Sequence, residues 1–256
     1  MPFFLIAELP THSEESRAKA NESLVVLAEQ VKEREPFAKP YYFFHNTSDP
    51  TDFQIYGFER YDIDASELHA KHVDTEQFKQ FSKKVEEGNL YNGKEIAVHL
   101  YDEVAGYVER PGTEGKKVET VLIAWLKANN AQDRETALQL LTNLANDVHQ
   151  NEHDAYTYIV LKSKDDDQSL VVFERYATKE ALTGAHRAGK VYQSNGPKMA
   201  PLIAQKSVIE YAESGIGYIL RQLKWLSEAC EKTTRLTWEK EGRQMFHVGS
   251  SYQAHL

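Results

Sequence analysis

The chain repeats itself. FERYDIDASELHAKH runs from Phe58 to His72, and FERYATKEALTGAH runs from Phe173 to His186. The two phenylalanines lie 115 residues apart, and at that offset residues 41–61 lie over 156–176 without a gap. This pairs Tyr41 with Tyr156 and Phe43 with Tyr158. The two histidines are 114 apart, so one residue is lost after the second FERY. LIAEL (Leu5 to Leu9) matches LIAWL (Leu122 to Leu126) at 117, and GYVER (Gly106 to Arg110) matches GYILR (Gly217 to Arg221) at 111. Four landmarks in one order mark a tandem duplication, and any fold for this chain must use one unit of about 110 residues twice.

The first copy spans roughly 1–112 and the second 117–221, joined by RPGTEGKK, whose Pro and two Gly suit an exposed linker. Residues 222–256 form an extension with no counterpart in the first copy. Within the first copy, Leu5 to Leu9 predicts a strand. The following stretch to Glu35, with Ser13 placed to cap and apolar residues at 24–28 and 31, predicts a helix. YYFFH and FQIYGFERY predict two strands around the turn-rich NTSDPTD. Asp64 can cap a helix carrying Leu68 and His72, and EIAVHLYDE closes the unit as a strand. The second copy predicts a strand at 119–127, a helix at 133–149, strands at 156–162 and 169–176, a helix at 179–192 and a strand at 206–213. The order is β-α-β-β-α-β, a ferredoxin-like unit of the α+β class.

A four-stranded sheet with helices on one face leaves its other face to be buried. Two copies in one chain can bury each other's, sheet to sheet. The strands then need apolar residues on both faces, and they have them: Leu170, Val172 and Tyr176 point one way, Val171 and Phe173 the other.

The net charge of -9 repels phosphate backbones and argues against a nucleic-acid partner. A single cysteine, Cys230, excludes an internal disulfide and a thiolate zinc cluster. The apolar run at Phe3 to Ala7 is too short for a signal-peptide core or a membrane span, so no membrane partner and a cytoplasmic location are the default expectations. His69 and His72 sit three apart, but nothing at fixed spacing completes a metal site, and no metal is expected. The extension is expected to seal one end of the fold or to form an interface with a second copy, which would make a homodimer.

An aromatic-Glu-x-aromatic strand end followed by a short helix with an Ala/Leu-rich turn and a histidine resembles the antibiotic biosynthesis monooxygenase family. The pattern is FERYATKEALTGAHRAGKVYQ in the second copy and FERYDIDASELHAKHVDTEQFKQF in the first. The resemblance covers about 220 residues and implies a dimeric α+β barrel made by one chain. It also implies oxidation of an aromatic or polyketide-like small molecule of anthrone or quinol type by O2, with no metal, flavin or other cofactor. The same superfamily holds non-oxidative cyclases and lyases. A barrel that only holds a hydrophobic ligand, as a stress protein would, is the third reading.

Glu59 and Glu174 alternate with apolar neighbours, so each starts from an apolar face. His72 lies four residues after Leu68 and His186 four after Leu182, which turns each histidine toward the sheet. The plainer alternative is that each histidine bonds its own strand and ties helix to sheet. The chemical one is that His72 or His186, with Glu59 or Glu174, takes a proton from a phenolic substrate. Tyr41, Phe43, Tyr56, Tyr61, Trp125, Tyr156, Tyr158 and Tyr176 are candidates to line the pocket, with core packing as the competing role. His45, His69 and the aromatic-rich YYFFH favour the first copy for chemistry, and Trp125, where the first copy has Glu8, is expected to fill the second pocket.

Overall fold

The structure is a computed structural model that describes residues 1–220. The expectations for 222–256, and for Cys230, lie outside the described residues. The first repeat runs β1 (Phe3–Leu9), α1 (Glu14–Arg34), β2 (Ala38–Asn46), β3 (Ile55–Tyr61), α2 (Glu76–Glu87) and β4 (Ala97–Tyr107). The second runs β5 (Thr120–Ala128), α3 (Ala131–Asn151), β6 (Ala155–Ser163), β7 (Ser169–Tyr176), α4 (Lys190–Met199) and β8 (Ile203–Tyr218). Local chemistry sets the starts of the long helices. The Ser13 hydroxyl accepts the Ser16 N–H while the Ser16 hydroxyl accepts that of Ser13, and Asn130 caps α3 by accepting from the Asp133 N–H.

All strand pairs are antiparallel, and the eight strands close into one barrel in the order β1-β3-β2-β8-β5-β7-β6-β4. Each repeat supplies four neighbours, β4-β1-β3-β2 and β8-β5-β7-β6. The seams are β2 with β8 and β4 with β6. Closure leaves no unpaired edge among the described strands.

The two strand faces serve two purposes. Inward residues, among them Phe4, Ile6, Phe44, Phe58, Ile123, Ile159, Phe173 and Tyr211, fill the barrel. Phe58 and Phe173, the first letters of the two FERY strings, stack on each other at its centre with ring centroids 3.8 Å apart and planes 7° from parallel. Outward residues form one core under α1 and α2 and another under α3 and α4. Leu170, Val172 and Tyr176 belong to that second outer core and Val171 and Phe173 to the interior, as the alternation predicts.

Two sequence expectations need correction. Tyr41 is paired with Glu59, and Tyr158 with Glu174. The counterpart of Tyr41 is therefore Tyr158, at the offset of 117 that also relates β1 to β5, and the hairpin between the strands is two residues longer in the first repeat. An exposed hairpin loop absorbs insertions at little cost. An ungapped alignment through that loop sets β6 two residues off, and beyond the bulge at Tyr156 a two-residue slip keeps each side chain on its own face, so the alternation carries no signal of it.

The continuous helix expected at 179–192 is broken. A π-helical turn spans Ala181–His186, and α4 begins only at Lys190, beyond Gly189. The first repeat has a 3-10 turn at Ala65–Glu67, with Asp64 at its N-cap, and a π-helical turn at His69–Val73. Both histidines thus ride on wide turns of a kind that recurs at functional sites.

Candidate active site

The two repeats build the same cluster. Each long first helix ends on a glutamate, Glu35 after α1 and Glu152 after α3, with nearly identical backbone angles: φ -115, ψ 75 and φ -116, ψ 82. The N–H of each closes its helix on Val31 or Val148, and its carbonyl accepts from Ala38 or Ala155 at the start of the next strand. Held at this corner, the carboxylates turn inward and meet the histidines. The His72 Nδ1 lies 2.7 Å from Glu35 Oε2, and the His186 Nδ1 lies 3.0 Å from Glu152 Oε2. All four residues are buried. With Nδ1 facing a carboxylate, Nε2 of each ring is the atom left for chemistry.

On the strand side, the Tyr61 hydroxyl donates to Glu59 Oε2 at 2.6 Å and the Tyr176 hydroxyl to Glu174 Oε2 at 2.7 Å. The His186 Nε2 lies 4.0 Å from Glu174 Oε2. Each imidazole is boxed by three rings: Tyr41, Tyr61 and Phe78 around His72, and Tyr158, Tyr176 and Tyr192 around His186. The opposite repeat closes each cluster. The Tyr107 hydroxyl, at the end of β4, donates to the Ala155 carbonyl, and the Tyr218 hydroxyl, at the end of β8, donates to that of Ala38.

Electrostatics follow from burial. Desolvation pushes the Glu174 carboxyl above its ordinary range, against the pull of the His186 charge and the Tyr176 hydroxyl. Burial works against a charged His186, but the Glu152 hydrogen bond and the Glu174 charge prevail and raise it. Glu59 is likewise raised by burial, opposed by His72 and Tyr61. The second cluster thus sets the His186 ring between two carboxylates, Glu152 on Nδ1 and Glu174 facing Nε2, with the Glu174 carboxyl held above its ordinary range by burial.

The clusters differ in what lies beside them. A cavity of about 260 Å³ opens on Glu174 and His186, walled by Leu122, Ala124, Leu141, Leu144, Val172 and Leu182, with Tyr158, Tyr192, Asn195 and Met199 around it. Arg187 and Lys206 also line it. In the first repeat, Phe43, Phe78 and Phe81 pack into the outer core around His72.

Of the residues singled out from sequence, His72, Glu59, Tyr41, Phe43 and Tyr61 share the first outer core or its cluster, and His186, Glu174, Tyr158 and Tyr176 share the second. Three do not belong with either. Tyr56 alternates onto the inward face and packs on Phe44 and Tyr211. Tyr156 sits at a bulge in β6 and has the Lys116 ammonium 5.8 Å from its ring centroid. Trp125 turns to the barrel mouth, 6.3 Å from His99 between ring centroids, so it cannot fill the second pocket. Nor do the extra histidines enrich the first cluster. His69 pairs with Asp74 on the surface, and His45 faces Asn21 of α1, with burial holding its pKa down to about 4.

Sequence reasoning missed Glu35 and Glu152. Their signal was present, because they stand 117 apart, the offset already seen in LIAEL and LIAWL.

Known structures place the fold. A Lactobacillus acidophilus protein, provisionally assigned as a monooxygenase, matches over 86% of this chain and 99% of its own, at 14% identity and a TM-score of 0.64. A Fusobacterium nucleatum protein with the same provisional assignment matches over 87% and 98%, at 14% identity and a TM-score of 0.69. The chain shares the fold of these proteins, an eight-stranded α+β barrel made by one chain. An anthrone oxidase-like protein shares this tandem barrel over 87% of the chain and 95% of its own, at 13% identity and a TM-score of 0.57. No protein-family model matches the sequence, and no curated protein matches it. Among the described residues, no helix of the tandem barrel is long and apolar enough to cross a membrane.

Proposed function

We propose that the tandem barrel is a cofactor-independent monooxygenase that oxidises an aromatic, polyketide-like small molecule of anthrone or quinol type, and that the second repeat does the chemistry. The observation that carries this is the apolar cavity ending on Glu174 and His186. The names of the tandem-barrel neighbours, two monooxygenase assignments and an anthrone oxidase-like protein, favour the same reading.

In this reading the proton acceptor is Glu174 rather than a histidine. His186, held by Glu152, carries its proton, and Glu174 Oε2 is taken by Tyr176. Among the described residues no hydrogen bond reaches Glu174 Oε1, so this oxygen is the base. It takes a proton from the acidic carbon of an anthrone, leaving a carbanion beside the His186 imidazolium. Burial that raises the Glu174 carboxyl brings it nearer to the substrate's own acidity. The carbanion passes one electron to O2, and the resulting radical and superoxide combine into a C–O bond. Protonation gives a hydroperoxide; loss of the second C–H proton then breaks the O–O bond and expels water. Carbon goes from CH2 to C=O, one oxygen atom stays and the other leaves in water, so the four electrons balance. The protein binds, deprotonates and shields.

Oxygen uptake with an anthrone and quinol panel tests this. Glu174→Gln is expected to lower turnover by roughly 100-fold or more while the protein still folds, the scale of a lost general base. The wild-type rate is expected to rise with pH through the raised Glu174 carboxyl and to fall as His186 loses its proton at a pH above the ordinary imidazole range, a bell whose limbs belong to the coupled pair. Absence of oxygen uptake across the panel, or full activity in Glu174→Gln, overturns the reading; product formation under nitrogen would point to a cyclase or lyase instead.

A further inference from the structure

The two repeats form an internal comparison. Phe78 and Tyr192, 114 apart, take the same edge-on position against their histidines at 5.0 and 4.8 Å between ring centroids, so α2 and α4 are in register at the offset that relates His72 to His186. Three residues further along, the first repeat has Phe81 and the second has Asn195. Phe81 is 4% exposed and packs in the outer core against Phe78. Asn195 is 7% exposed and lines the cavity. At this position one repeat buries an aromatic ring and the other a small amide.

The amide is oriented. Its Nδ2 donates to the Leu140 carbonyl of α3 at 2.8 Å, which fixes the flip and leaves Oδ1 on the other side. No hydrogen bond from any described residue reaches that oxygen. Asn195 lines a cavity whose walls are mostly apolar, and there a ligand hydroxyl would supply the donor this oxygen lacks. Glu174 and the Tyr176-bonded strand occupy the reacting end of the cavity, and Asn195 belongs to the helix that covers it.

We propose that Asn195 is the specificity-determining residue of this pocket: its Oδ1 accepts a hydrogen bond from a phenolic hydroxyl of the substrate. The inference rests on the pocket assignment made above and deepens it by naming the residue that reads a ring hydroxyl. The discrimination is chemical. A ring bearing a free hydroxyl satisfies Oδ1, whereas one bearing a methoxy group leaves it buried and unpaired, and sites built to bond a hydroxyl reject analogues that lack it.

The test is binding, which needs neither O2 nor turnover. 2-Naphthol and 2-methoxynaphthalene are titrated against the full chain by calorimetry. Wild type is expected to prefer 2-naphthol by roughly 3- to 10-fold, the range of one neutral hydrogen bond. In Asn195→Leu the preference is expected to vanish, 2-naphthol weakening by about that factor and 2-methoxynaphthalene holding or tightening. The ratio is internal to each protein, so a fraction that fails to fold cancels; if Asn195→Leu yields no folded protein, Asn195→Ser is measured for the same loss. No preference in wild type, or a preference that survives the substitution, overturns the assignment. A protein that shows the preference and its loss but takes up no oxygen would uphold Asn195 and overturn the oxidation instead.

Discussion

At the scale of single residues, two identical histidine–glutamate pairs serve two different neighbourhoods. Each pair is buried and hydrogen-bonded, so removing one partner leaves the other unpaired in the interior. Glu35→Ala and Glu152→Ala are each expected to destabilise by about 3–5 kcal/mol, read by chemical denaturation. Under conditions where both variants remain folded, only Glu152→Ala is expected to lose turnover, because only His186 stands at the cavity. Equal loss of turnover in the two would show that the first cluster also takes part. The histidines and the strand glutamates were legible in the sequence because they sit in a repeated string. The helix-end glutamates were harder to see, since nothing local distinguishes Glu35 in KEREPF from its charged neighbours. Their role appears only when the chain turns a corner and brings residues 37 and 34 positions apart together.

At the scale of elements, the two seams of the barrel depend on glycine. Gly106 in β4 and Gly217 in β8 adopt φ of +105 and +87. A Cβ on either would sit 2.0 Å from a carbonyl oxygen of the facing repeat, that of Tyr158 or Tyr41. These glycines let the last strands bend across the seam and deliver Tyr107 and Tyr218 to the opposite cluster. Gly106→Ala and Gly217→Ala therefore face both a backbone conformation closed to L side chains and a backbone clash. Each is expected to cost at least about 1–3 kcal/mol, seen as a lower melting temperature; unchanged melting would mean the seams do not need them. The strands and long helices were predictable from alternation and capping. The broken second helix was not, because a π-helical turn keeps the same residue types and changes only how many of them fill a turn.

At the scale of the whole molecule, the repeats are units of sequence that complete one barrel between them. Either half alone would expose the bonding edges of two strands, β2 and β4 or β6 and β8. Residues 1–114 and 115–256 expressed together are expected to copurify in equal amounts through the two seams, by size-exclusion chromatography; halves that purify separately as folded monomers would refute this. The fold class was legible because duplication reduces a 256-residue problem to one unit and a question of how two copies cover each other. Which pocket is open was not legible, since it turns on side-chain volume at Phe81 and Asn195 and on which way Trp125 points. The linker Arg110 to Lys117 carries a last consequence. In an assembly of two identical chains every substitution is inherited twice, so a change that opens one pocket opens both and the stability cost is doubled. Joined in one chain, the halves become separate heritable positions: one can stay a rigid mould for the barrel while the other trades packing for an empty space.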